Sequence, residues 1–196
     1  MTNASTKQLT LRGIFVAILL LQTFVPFLGY VPIPPLNLTI IHITVISAAL
    51  IFDGYSGVWI GLSWGLLSMA RAYLAPTSPF DILIFQNAII AVLPRVAISL
   101  ATAFSYQRLV QRWSQRRALM VSAAIGSATN TIGVLGLIAL LKGAPYAQLA
   151  HTTPQLLYKL LGTTVLTNGI PEMIAAALIT PLIVLAYRRM SRTEKR

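Results

Sequence analysis

An arginine in the middle of an apolar stretch costs about 2.5–3.5 kcal/mol on insertion scales unless it meets a partner or water. Arg95 sits in such a stretch, 82–106, directly after Pro94. Steps of four from it reach Ala91, Asn87 and Ser99. On a helix these share one face, a polar stripe with small residues between that leaves room for a ligand. A guanidinium is a planar, permanently charged fork that matches a carboxylate or phosphate. Arg95 therefore either binds an anion or is a structural residue paired to Glu172 or to carbonyls freed by Pro94.

Two further sets of polar residues fall inside apolar stretches. Ala123, Ser127, Asn130 and Thr131 share one face, and Asn130 offers a donor and an acceptor to a hydroxyl or amide. The alternative is interhelical hydrogen bonding, worth about 1 kcal/mol in membranes. Thr164, Asn168 and Glu172 recur every four residues. Glu172 is either a counter-ion to Arg95 or sits at the aqueous end of its helix. Gly169 and Pro171 beside it suggest a broken helix start with free backbone groups. Trp64 is either a pocket wall or an interfacial anchor. The candidate binding residues are thus Arg95, Asn130, Asn87, Asn168, Trp64 and Glu172.

The elements that must position these residues are membrane spans. The chain of 196 residues is 56% hydrophobic and 10% charged, with a mean hydropathy of +0.76. A soluble domain carries about 25% charged residues. This excludes a disordered chain, a soluble enzyme and a nucleic-acid module. Apolar runs at 13–28, 38–52, 57–74, 82–106, 119–141 and 162–187 predict six transmembrane helices in one domain, 1–196. Pro26 and the stretch Pro32, Pro34 and Pro35 end the first run, and Asp53 and Gly54 mark a turn after the second. The mixed segment 142–161, with Pro145, His151 and Pro154, reads as a long re-entrant or surface loop. The first run is longer than a signal peptide's apolar core and lacks a small-x-small cleavage site, so it is expected to be a retained span.

The charges set the orientation. Of 15 Lys and Arg residues, eleven fall on one side of a six-span layout and three on the other: Arg71, Lys142 and Lys159. The positive-inside rule then places both termini in the cytoplasm. The net charge of +11 is accounted for by topology and lipid contact rather than by a nucleic-acid partner.

Small residues mark packing faces. Gly57, Gly61 and Gly65 form two overlapping G-x-x-x-G units, expected to serve intramolecular packing. Gly13 and Ala17 form a small-x-x-x-small pair, a candidate docking face for a partner helix. His42 is expected to be a hydrogen-bonded packing residue. With His151 it lacks a third ligand at metal spacing, and the chain has no Cys, so neither a metal site nor another cofactor is expected.

Catalysis lacks its residues. There is no H-E-x-x-H pair and no G-x-x-x-x-G-K-[ST] loop, and only two His are present to serve a nucleophile as base. No convincing internal repeat marks a self-contained ion-coupled carrier. The chain reads as a small binding subunit without its own energy source.

The stretch 38–46, ending His42-Ile43-Thr44-Val45-Ile46, with Ala48, Ala49, Gly54 and Gly57 after it, resembles the H-I-P-V-I region of the substrate-binding (S) components of energy-coupling factor (ECF) transporters. Val92-Leu93-Pro94-Arg95 resembles that family's V-P-R element. Thr44 stands where the family commonly has Pro. The resemblance covers most of the chain and is closest to the pantothenate-specific members. It implies a multi-pass protein of a bacterial plasma membrane that captures a vitamin from outside. It also implies docking on a transmembrane scaffold subunit (EcfT) driven by two cytoplasmic ATPases (EcfA and its homologue), and toppling to release the vitamin inward. Pantothenate, a small carboxylate with hydroxyls and an amide, suits one buried Arg and several Asn side chains. The alternatives are an S component for another anionic vitamin or precursor, and a structural or assembly membrane protein with no ligand.

Overall fold

In the computed structural model, which describes residues 2–25, 27–31, 38–52 and 54–193, the apolar runs fold into helices. Chain order gives α1 (Thr2–Phe24), strands β1 (Tyr30–Val31) and β2 (Leu38–Thr39), α2 (Ile41–Ile51) and α3 (Gly54–Leu74). Then come α4 (Pro79–Phe85), α5 (Ala88–Leu109), α6 (Gln115–Leu149), α7 (Pro154–Thr164), a π-helical turn (Val165–Gly169) and α8 (Ile170–Thr193). Among the described residues, Ala88–Leu109, Gln115–Leu149 and Gln155–Ser191 are long and apolar enough to cross a membrane, and Gln8–Phe24 and Ile41–Ile51 are shorter apolar helices. The prolines at 26, 32, 34 and 35 and the turn residue Asp53 lie outside the described residues, as do Lys195 and Arg196 of the basic tail.

The centre of the bundle is α2. Nine of its eleven residues are buried, and it packs against α1, α3, α5, α6 and α8. Its apolar residues form no stripe because it has no exposed side to leave polar. At 1.5 Å per residue, eleven residues reach about 16 Å, roughly half a hydrocarbon core of about 30 Å. The bundle axis is therefore filled over only part of its depth. Beyond the N-terminal end of α2 lies a cavity. The strands β1 and β2 pair there, Tyr30 opposite Thr39 and Val31 opposite Leu38.

Packing around this axis relies on close helix approach. A Cβ on Gly61 would collide with the Arg95 carbonyl oxygen, and one on Gly65 would lie 2.8 Å from the Val92 Cα. The glycine stripe is thus the seam between α3 and α5, and Ser99 Oγ donates to the Gly57 carbonyl across it at 2.7 Å. The room expected beside the Ala91–Ser99 stripe is filled by α3.

Three expected elements differ. The run 82–106 is not one helix. It breaks between α4 and α5 because Asn87 Oδ1 accepts from Ile89 N at 3.0 Å and Ile90 N at 3.4 Å, which makes it an N-cap. The segment 142–161 is not a loop. The helix α6 continues through Pro145 to Leu149, and α7 starts after Thr153, whose side chain caps it. Tyr146, Leu157 and Leu161 pack with Ile84, Ile90 and Ile138 into a second apolar core, and this burial holds the segment helical. Nor is the helix broken at Gly169 and Pro171. Ile170 N donates to the Val165 carbonyl, five residues back, so one widened turn carries the helix past a proline that cannot donate.

Candidate functional site

The cavity beyond α2 is a small hollow of about 80 Å³, part of it open to solvent. Arg95 comes from α5, Trp64 from α3, Asn130 from α6, Asn168 from the π turn and Glu172 from α8; all five line it. The widened turn and the four-residue spacing set Thr164, Asn168 and Glu172 on one wall.

Arg95 is held rather than paired. It is 4% exposed, and Nη1 donates to the Ile90 carbonyl at 2.9 Å. Pro94 has no N–H, so that carbonyl lacks its helical donor and accepts the guanidinium instead. The guanidinium carbon lies 4.9 Å from the ring centroids of both Trp64 and Phe85. Aromatic faces attract the cation without neutralising it. Arg95 Nε is buried without a hydrogen-bond partner. Of the pairings open from sequence, the geometry selects the carbonyl freed by Pro94. Glu172 makes no ion pair with Arg95; its Oε1 accepts from Thr39 N at 2.6 Å, which ties α8 to β2.

Two neutral polar groups are left without partners as well. Asn130 is 5% exposed and its Oδ1 has no partner, and the buried Trp64 Nε1 has none either. Asn168 Oδ1 accepts from Thr167 Oγ1 at 2.8 Å. Buried polar atoms are normally satisfied, so orphans lining a hollow suit a ligand that brings the missing partners. Val134, Leu135 and Phe85 supply the apolar part of the wall. A small anion with a hydroxyl or amide and an aliphatic body matches this set.

Asn87 does not line the cavity, since its side chain is spent capping α5. His42 lies beneath it in the core, with Nε2 3.3 Å from Ser127 Oγ and 3.4 Å from the Glu172 carbonyl. Gly13 and Ala17 lie on an exposed face of α1, and a Cβ on Gly13 would meet nothing within 4 Å. Sequence reasoning missed Tyr30, Thr39, Asp81 and Phe85, all of which line the cavity. Asp81 Oδ2 accepts from Thr77 N at 3.0 Å and lies 3.7 Å from Arg71 Nη1. The guanidinium of Arg71 stacks 4.3 Å from the Tyr30 centroid. Asp81 is thereby engaged by its own cation, and Arg95 is left for a ligand.

Gly61-Leu62-Ser63-Trp64-Gly65 spells G-x-S-x-G. A nucleophile of that type requires a strand-to-helix elbow. Ser63 instead lies inside α3, and its hydroxyl donates to the Trp59 carbonyl at 2.9 Å. Among the described residues no three His, Cys, Asp or Glu side chains are grouped to hold a metal ion.

A family model described as the substrate-specific component of ECF transporters matches residues 7–184. The pantothenate transporter PanT of Leuconostoc mesenteroides subsp. mesenteroides is 33% identical over 142 residues, which cover 69% of this chain and 69% of that one. The pantothenic acid transporter PanT of Lactococcus lactis subsp. cremoris is 31% identical over 202 residues, covering 96% of this chain and 97% of that one. The family and these relatives make it a multi-pass membrane transport component and not an enzyme: the chain belongs to the substrate-specific components of ECF transporters.

Proposed function

We propose that this chain captures pantothenate at the outer membrane face and passes it to an energising module for uptake. As an S component it is a transport subunit and not an enzyme. The observation that carries the substrate assignment is Arg95: a buried cavity-lining guanidinium anchored to a carbonyl and flanked by aromatic rings, with no carboxylate partner. The ligand carboxylate supplies that partner, through charge-assisted bonds. Asn130 and Asn168 face the hydroxyls and amide, and Val134 and Leu135 face the dimethyl group. Both curated relatives carry pantothenate in their names, which supports the same substrate here.

The same reading gives six spans with both termini in the cytoplasm, supported by the eleven-to-three division of basic residues. The scaffold EcfT docks on the exposed face of α1 at Gly13 and Ala17, and two EcfA-type ATPases supply the energy. The deciding experiment is direct binding of labelled pantothenate to the purified chain, with unlabelled vitamins as competitors. Saturable binding displaced by pantothenate alone supports the assignment. Displacement by a different anionic vitamin replaces the substrate, and no binding of any vitamin favours a structural subunit.

A further inference from the structure

A second hollow lies away from the cavity, between the first turns of α6 and the latter half of α8. Ala177, Pro181 and Leu185 line it with Met120, and so do Arg116, in the first turn of α6, and Arg189, near the end of α8. The three α8 residues recur every four positions and so line one stripe of the helix. Leu178 and Leu182 beside them are 56% and 63% exposed, so the groove opens onto the apolar outer surface of the bundle. The surface around it is one that faces acyl chains.

Its two basic groups have nothing else to do. Both arginines are exposed, and among the described residues neither guanidinium has a hydrogen bond or an ion pair. Their neighbour Arg188 differs: Nη1 donates to Tyr106 Oη at 2.8 Å and Nη2 to the Leu50 carbonyl at 3.0 Å. Arg188 is structural, and Arg189, next in sequence, is free. Arg116 stands in the first turn of α6, where the N-cap Ser114 makes no side-chain cap bond. The open N–H groups of that turn add partial positive charge at the same place. Two guanidiniums lining one groove beside a helix start match a phosphate diester.

We propose that this groove is a binding site for one anionic phospholipid, with an acyl chain along Ala177, Pro181 and Leu185 and the headgroup phosphate between Arg116 and Arg189. A partner helix is a poorer occupant. The α1 face at Gly13 and Ala17 offers a small-residue surface without charge, whereas this groove is lined by two cations that an apolar helix would bury unpaired. The site depends on the chain being a membrane protein and not on which vitamin fills the cavity.

The test is native mass spectrometry of the purified full chain, equilibrated with equal phosphatidylglycerol and phosphatidylcholine. The wild type is expected to retain one phosphatidylglycerol in preference. R116Q/R189Q should lower that retention about tenfold or more, the effect of losing charge-assisted hydrogen bonds to one phosphate. A177W, which blocks the chain seat and leaves both guanidiniums, should lower it comparably. R112Q/R117Q removes two nearby charges that do not line the groove and should leave retention unchanged. An excess of inorganic phosphate should not displace the lipid. Equal loss in R112Q/R117Q, unchanged retention in R116Q/R189Q, or displacement by phosphate alone would each overturn the proposal. So would a wild type without lipid preference whose groove is covered by the scaffold subunit in the assembled transporter.

Discussion

Arg95 Nη1 donates at 2.9 Å to the carbonyl of Ile90, the one carbonyl in that turn that Pro94 leaves without a helical donor. The proline and the arginine thus act as a unit. The proline opens an acceptor on the cavity side of α5, and the acceptor fixes one arm of the guanidinium. A side chain with up to about 2 kcal/mol of rotamer freedom is oriented before a ligand arrives.

Pro94→Ala tests that unit. The new N–H competes for the Ile90 carbonyl and releases the guanidinium. Affinity for pantothenate in isothermal titration calorimetry is expected to fall roughly threefold to tenfold, within the worth of one hydrogen bond to a charged group, while the fold is retained. Unchanged affinity would show that the anchor contributes nothing.

Asn130 and Asn87 should separate cleanly. Asn130→Ala removes an unsatisfied cavity amide and should cost about 1 kcal/mol of binding, or roughly fivefold, with little change in melting temperature. Asn87→Ala removes an N-cap and should cost about 0.5–2 kcal/mol of stability without affecting affinity. Thermal unfolding and ligand titration on both variants provide the check, and a reversed pattern contradicts the assignment of the two residues.

Glu172 holds the Thr39 amide at 2.6 Å, a role that glutamine can share. Glu172→Gln keeps the acceptor and removes a negative charge from an anion site, so pantothenate should bind at least as tightly as to the wild type. Glu172→Ala releases β2 and should weaken binding. If the glutamine variant lost as much affinity as the alanine variant, the carboxylate charge itself would be required.

Much of this arrangement was legible in the sequence, and the failures have physical causes. Arg95 announced itself because a charge in a span is expensive, and Thr164, Asn168 and Glu172 did so by their four-residue step. Asn87 misled because the step of four presumed a continuous helix, whereas Asn is among the best N-caps and ends the periodicity where it stands. The segment 142–161 looked like a loop because Pro145 and Pro154 read as breakers. Pro145 is in fact tolerated within α6, and Pro154 is the first residue of α7, where a missing N–H is harmless. Tyr30, Thr39 and Asp81 stayed hidden because they reach the cavity from the β1–β2 pair and the short helix α4, outside the long spans. Only the tertiary contacts of Arg71 and Glu172 bring them there.

Ala17→Trp probes the docking face. A bulky ring on the exposed side of α1 should abolish co-purification with the scaffold subunit and ATPases, and with it uptake into cells. Pantothenate affinity of the isolated chain should stay at the wild-type value, since Ala17 is remote from the cavity. A normal yield of complex would move the docking face elsewhere.

The central claim is that Arg95 reads the carboxylate of the substrate. The most direct measurement is the affinity of wild type, Arg95→Lys and Arg95→Ala for pantothenate and for its analogue with the carboxylate reduced to an alcohol. Arg95→Ala should lose on the order of 1.5–3 kcal/mol, roughly tenfold to more than a hundredfold, and Arg95→Lys should recover only part because it lacks the fork. The wild type should reject the alcohol strongly, and Arg95→Ala should bind both compounds about equally weakly. A folded Arg95→Ala protein with full affinity and undiminished preference for the carboxylate would contradict the account.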